Sequence, residues 1–176
     1  VERIAFTGGP ETAKNIIKNS AENLSQVSLE LGGKSPVVVF DDAEQENALN
    51  GITAGIFGAS GQSCIAGSRL YIQSGIYNEF LDKLIAKAEK IKLGKPMDEN
   101  TQMGPLNNFR QLENIEKNIK ATIEQGGIIR CGGKRSDISN KGYYFPATII
   151  ECKNHSLPAA ENELFGPVLS VMKFDT

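Results

Sequence analysis

The chain has one histidine, His155, and three cysteines, Cys64, Cys131 and Cys152, with no Cys-x-x-Cys spacing among them. A zinc site built on His and Cys therefore lacks ligands, and no metal is expected. Three cysteines cannot all pair internally, so free thiols in a reducing compartment are the simpler reading, and a cytoplasmic location is expected. A Cys–His dyad would have to draw on His155, which lies in the polar turn Lys153-Asn154-His155-Ser156 and reads as a solvated residue. Any base serving a reactive thiol must then be a carboxylate. Nothing approaches the run of roughly 18 apolar residues that a membrane helix needs. The opening Val-Glu-Arg-Ile-Ala-Phe has neither a basic stretch nor a cleavage site, so no secretory leader is expected. Val1 reads as mid-strand, which suggests a sequence cut from something longer. Lys and Arg are scattered over a chain of net charge −2, with no basic stripe to bind nucleic acid.

What is present is ordinary for a globular α/β protein: 176 residues, 40% hydrophobic and 23% charged. Arg3–Thr7 alternates as a strand and is closed by Gly8-Gly9-Pro10, and Pro10 suits the first turn of a helix. That helix carries Ala13, Ile16, Ile17 and Ala21 on one face. Val27–Leu31 and Val37–Phe40 read as strands on either side of Gly32-Gly33. A helix over Ala43–Ala59 leads into a glycine-bracketed loop, then come a strand at Leu70–Gln73 and a helix over Ile76–Ile91. Phe109–Gln125 is amphipathic through Leu112, Ile115, Ile119 and Ile123. Strands are predicted at Ile128–Cys131, Tyr144–Ile150 and Val168–Phe174, with a polar loop around Lys134–Gly142. Alternating strands and helices, with continuous apolar strands such as Val37-Val38-Val39-Phe40, predict a largely parallel sheet covered by helices on both faces.

Four segments stand out. In Gly61-Gln62-Ser63-Cys64-Ile65-Ala66-Gly67, glycines bracket a turn and no apolar periodicity claims the cysteine, whereas Cys131 and Cys152 sit in or beside strands and read as buried hydrophobes. In Leu29-Glu30-Leu31-Gly32-Gly33-Lys34, the alternation alone would put Glu30 on a solvated strand face. The glycine break places it near a strand end, where crevices of open α/β sheets form. Phe6-Thr7-Gly8-Gly9-Pro10 joins a strand to a helix, an arrangement that serves either as a plain turn or as a backbone approach to phosphate. Glu163-Leu164-Phe165-Gly166-Pro167-Val168 enters the last strand, with Phe165 a core anchor if the segment is taken alone.

In this order, the four segments resemble those of the aldehyde dehydrogenase superfamily over essentially the whole chain. The resemblance implies that Cys64 is the nucleophile and that Glu30 activates water. It also implies that Thr7, Gly8, Gly9 and Leu31 approach NAD or NADP. Glu163 would hold the nicotinamide ribose hydroxyls, and Phe165 would flank the ring. It implies a small-molecule aldehyde as substrate, with Ser63 and Ile65 flanking the nucleophile, and a homo-oligomeric parent enzyme. Residues 1–33 correspond to the tail of the cofactor domain and 34–176 to most of the catalytic domain. The chain departs from the family pattern where Gly9 replaces a serine that touches phosphate and where Ala13 replaces a glycine. Glu30 favours hydrolytic release over a CoA-acylating relative, and retained Cys64 and Glu30 speak against a non-catalytic relative of the same fold. The 176 residues by themselves are expected to be inactive.

Overall fold

The computed structural model describes residues 1–138 and 142–176, so part of the predicted polar loop, 139–141, lies outside the described residues. The chain divides into two compact units, Val1–Gly33 and Lys34–Thr176.

The first unit is a β–α–β element. Strand β1 (Arg3–Gly8) pairs in parallel with β2 (Gln26–Leu31), and helix α1 (Pro10–Ser20) connects them. Pro10 begins α1, where its missing N–H forfeits nothing. The apolar face expected of α1 is only partly buried: Ala13 is enclosed, while Ile17 is half-exposed and Ala21 lies beyond the helix in a short 3₁₀ turn, Ala21–Asn23.

The second unit is built on five strands: β3 (Pro36–Val39), β4 (Arg69–Gln73), β5 (Ile128–Cys131), β6 (Thr148–Glu151) and β7 (Val168–Phe174). Their order is β3-β4-β7-β6-β5, all neighbours parallel except the β5–β6 pair. Alternate residues of the central strand β7 face opposite sides. Leu169 and Val171 join one core, with Leu70, Ile72 and Ile149 beneath helices α2 (Gln45–Phe57) and α3 (Tyr77–Ala88). Val168 and Met172 join the other, with Ile150 beneath α4 (Phe109–Glu124) and the short α5 (Pro158–Glu161). Burial on both faces explains why β7 reads as a near-continuous apolar run. Each enclosed aliphatic or aromatic side chain contributes about 1.5–3 kcal/mol relative to exposure.

Helix α4 buries Leu112, Ile115 and Ile119 as expected, but Thr122 completes that face and Ile123 stays half-exposed. Thr122 is accommodated because its Oγ1 donates to Asn118 O (2.7 Å) and accepts from Ala159 N (2.9 Å). Asn108 caps the helix, its Oδ1 accepting from Gln111 N at 2.9 Å. The strand predicted over Tyr144–Ile150 is confined to Thr148–Glu151. Pro146 has no N–H to give a ladder, and Tyr143 and Tyr144 direct their carbonyls to Leu106 N and Ser136 N instead. Among the described residues, no helix is long and apolar enough to cross a membrane.

Candidate active site

Helix α2 ends in a 3₁₀ turn, Gly58–Gly61, in which Ala59, Ser60 and Gly61 all have left-handed backbones, φ 48°, 56° and 69°. For alanine and serine this costs about 1–2 kcal/mol per residue. Hydrogen bonds hold the turn in place. Ser60 Oγ donates to Gly104 O (2.8 Å), and Gln62 Oε1 accepts from Asn107 N (2.8 Å). Gly61 is packed so closely against the Gly166 carbonyl that a Cβ there would collide with it. From this frame the chain makes a tight turn closed by Ala66 N donating to Ser63 O at 3.1 Å. Cys64 and Ile65 occupy its two central positions, both exposed, while Ala66 returns to the core. The free thiol thus sits at the tip of a rigid turn, and no hydrogen bond among the described residues engages the Cys64 N–H. Ile65 borders an open, largely apolar groove of about 460 Å³ along β3 and α2.

The contact between Gly61 and Gly166 sets the Cys64 turn beside the loop between α5 and β7. This second loop contains Glu163 and Phe165. Phe165 has φ 49° and remains 40% exposed, an unusual pairing of a left-handed backbone with an unburied aromatic ring. Helix α4 clamps the loop from below. Gln111 Nε2 donates to the carbonyls of Leu164 and of Phe165 (3.1 Å to the latter), and Asn162 Nδ2 donates to Asn118 Oδ1 at 3.0 Å. The sequence patterns did not single out Gln111 or Asn118, because polar positions on an amphipathic helix read as solvated.

In the first unit, the parallel register places Thr7 opposite Glu30 and Gly8 opposite Leu31, at the C-terminal ends of β1 and β2. Glu30 is exposed. Gly9 is the N-cap of α1 with an extended backbone (φ −76°, ψ 153°) and no capping side chain, and a Cβ there would meet nothing within 4 Å.

The charge environment of the second unit adds a residue that the sequence patterns did not single out. Among the described residues, Lys34 Nζ is out of solvent without a hydrogen-bond partner, and so is Glu163 Oε1. Burial, and secondarily the Arg69 guanidinium, pulls the Lys34 ammonium down to about 8, against the opposing influence of Cys152 and Glu163. Burial pushes the Cys131 thiol up to about 11 and raises that of Cys152 as well, which leaves both protonated and inert near neutrality. His155 is exposed, its Nδ1 lying 3.0 Å from the Tyr71 hydroxyl.

The aldehyde dehydrogenase family model matches residues 1–176. The chain belongs to the aldehyde dehydrogenase family. It is 51% identical over 177 residues to (Z)-2-((N-methylformamido)methylene)-5-hydroxybutyrolactone dehydrogenase of Acinetobacter baylyi, a match that covers all of this chain and 36% of that protein. Against betaine aldehyde dehydrogenase of Mesorhizobium japonicum the identity is 36%, over 99% of this chain and 36% of the relative. Among solved structures, betaine aldehyde dehydrogenase from Staphylococcus aureus in complex with NAD+ superposes with a TM-score of 0.96 at 40% identity, covering 100% of this chain and 35% of that one. The chain therefore spans about a third of the length of the aldehyde dehydrogenases it resembles.

Proposed function

We propose that this chain carries the nucleophile, the hydrolytic base and part of the cofactor site of an NAD(P)+-dependent aldehyde dehydrogenase. The observation that carries the reading is the exposed, free Cys64 on a turn fixed beside the Glu163–Phe165 loop. A merely structural cysteine gains nothing from such a pedestal, and a left-handed, half-exposed Phe165 is strain of the kind that collects at functional sites.

The residues present suit a dinucleotide. Glu163 has a buried oxygen without a hydrogen-bond partner among the described residues and would accept from ribose hydroxyls, with Phe165 flanking the nicotinamide. Thr7, Gly8, Gly9 and Leu31 lie at strand ends beside the uncapped start of α1, where backbone N–H groups favour phosphate. NAD+ is the first choice and NADP+ the second. When bound, the cofactor takes up the hydride released from the substrate carbon.

Cys64 Sγ, as thiolate, adds to the aldehyde carbonyl, forming a C–S bond and an oxyanion on the former carbonyl oxygen. The free Cys64 N–H is available to meet that oxyanion; in well-studied enzymes one such donor is worth roughly 2.7–4 kcal/mol. Hydride loss leaves a thioester on Cys64. Glu30 then takes a proton from water, the resulting hydroxide adds to the thioester carbon, and the C–S bond breaks to give a carboxylic acid and the free thiolate. General-base help of this kind is typically worth about 10²–10⁴ in rate. A CoA-acylating enzyme would not need Glu30. Residues 1–33 act as the tail of the cofactor domain and 34–176 as most of the catalytic domain of a cytoplasmic homo-oligomer. The 176 residues alone bind the cofactor weakly and do not turn over.

The test uses a full-length enzyme containing this segment. Cys64→Ala should abolish aldehyde oxidation, whereas Cys131→Ala and Cys152→Ala leave most of it. Glu30→Gln should release one equivalent of reduced cofactor per site in a rapid burst and then stall as the thioester. Near-normal turnover by Cys64→Ala, or an unchanged steady-state rate in Glu30→Gln, would refute the mechanism.

A further inference from the structure

The left-handed run ahead of Cys64 needs partners, because neither alanine nor serine favours that backbone. Ser60 finds one in the Gly104 carbonyl. A second hold comes from the Gln62 side chain. Its Nε2 donates to Ala59 O at 3.3 Å, beside the Gln62 backbone N–H on the same carbonyl at 3.1 Å, and its Oε1 accepts from Asn107 N at 2.8 Å. A carbonyl oxygen has two lone pairs and a carboxamide both donates and accepts, so one side chain closes the turn and ties it to a separate strip of chain. That strip, Gly104–Asn107, is anchored on its own account. Leu106 is 3% exposed in the core beneath α4, and its N–H donates to Tyr143 O at 2.9 Å. The next residue, Asn108, caps α4. On the other side, Gln62 stands two positions before Cys64, and the turn that Ala66 N closes on Ser63 O begins directly after it.

We propose that Gln62 is a positioning residue for Cys64: its carboxamide fixes the Cys64 turn to the Gly104–Asn107 strip and so sets where the sulfur meets the substrate carbonyl. The inference rests on the assignment of Cys64 as the nucleophile. Gln62 acts through the backbone of the turn, since both polar atoms of its side chain are engaged with main-chain groups. A methionine of similar length would keep the volume and lose both bonds. A glutamate would still accept from Asn107 N, but it would turn a second acceptor toward the Ala59 carbonyl. A reacting group displaced by about 1 Å can lose about 10²-fold in rate. The damage from losing these bonds therefore falls on the rate of attack and not on the number of competent sites.

The experiment uses a full-length enzyme containing this segment and carrying Glu30→Gln, so that an acyl group stays on Cys64, with p-nitrophenyl acetate as the probe. The Cys64 thiolate adds to the ester carbonyl, the C–O bond to the leaving group breaks, and an acetyl thioester remains. Each competent site thus releases one p-nitrophenolate in a burst. The rate constant of the burst reads the placement of the sulfur, and its amplitude reads the number of folded sites. Gln62→Met should lower the rate constant by roughly tenfold or more at unchanged amplitude, with the Kd for NAD+ within about twofold of the parent. Gln62→Glu retains the bond to Asn107 and serves if Gln62→Met fails to fold; it should show a smaller fall in the same rate constant. Leu84→Ala, a truncation in the core beneath α3, is the control for lost stability and should lower the melting temperature without changing the rate constant. A parent-like rate constant in either Gln62 variant, a loss of amplitude alone, or an equal fall in Leu84→Ala would overturn the inference while leaving Cys64 as the nucleophile. No burst in the parent, or a burst that survives Cys64→Ala, would overturn that assignment and the inference with it.

Discussion

Replacing Gly61 by alanine tests whether the pedestal of Cys64 is as constrained as its geometry indicates. Gly61 has φ 69°, a conformation that costs an alanine about 1–2 kcal/mol. Its new Cβ would also fall on the Gly166 carbonyl carbon and oxygen and stand 2.8 Å from Pro167 N. These are backbone atoms of a loop already clamped by Gln111, so no side chain can rotate away. Forcing such an overlap costs typically about 1–3 kcal/mol more, for a combined penalty of about 2–5 kcal/mol. Gly58 is an internal control three residues earlier. Its backbone (φ −55°, ψ 144°) suits any residue, and a Cβ there meets nothing within 4 Å. Gly58→Ala should therefore be neutral or stabilise by about 0.4–1 kcal/mol through the unfolded chain. Thermal unfolding of the two full-length variants should shift in opposite directions or, at least, very unequally. Gly61→Ala should also lower aldehyde turnover, because the Cys64 turn and the Glu163–Phe165 loop are forced apart. Equal melting temperatures for the two variants would refute the claim that the Gly61–Gly166 contact fixes the Cys64 turn.

Three further outcomes follow from other parts of the chain. Gly9→Ser places a hydroxyl at the N-cap of α1 in open space with a compatible backbone, so it should stabilise by a few tenths of a kcal/mol and tighten NAD+ binding, as read by calorimetry. Alkylation at pH 8 followed by peptide mapping should modify Cys64 and spare Cys131 and Cys152. The stability that neutral, buried Cys131 confers is fully present below its ordinary value of 9.0. It should be lost as pH rises toward about 11, and Cys131 labelling should appear only with unfolding in that window.

The alternation of strands and helices was legible because periodicity is local: Leu112, Ile115 and Ile119 announce α4, and the apolar run in β7 announces a strand covered on both faces. Expectations failed where tertiary partners decide. Tyr144–Ala147 has strand-like residues, yet Pro146 and the carbonyl bonds to Leu106 and Ser136 keep it out of the ladder. Ile123 has the right spacing for the core of α4, but Thr122 takes that place by satisfying its hydroxyl against Asn118 and Ala159. At the candidate site, the positions that the sequence singles out are those that stand out by residue type and local turn: Cys64 between glycines, on an exposed turn, and Glu30 at a strand end, also exposed. Those distinguished only by burial are not. Lys34 reads as a solvated lysine in any local window, because lysine is rarely enclosed. Its ammonium is instead removed from solvent, and Arg69, whose charge lowers it further, is brought to it only once β3 and β4 are paired. The same holds for the left-handed run at Ala59 and Ser60, since nothing in either residue favours that backbone and the hydrogen bond from Ser60 to Gly104, 44 positions away, helps to hold it. An exposed cysteine can thus be picked out from its own turn, but the contacts that hold the turn in place come from distant parts of the chain.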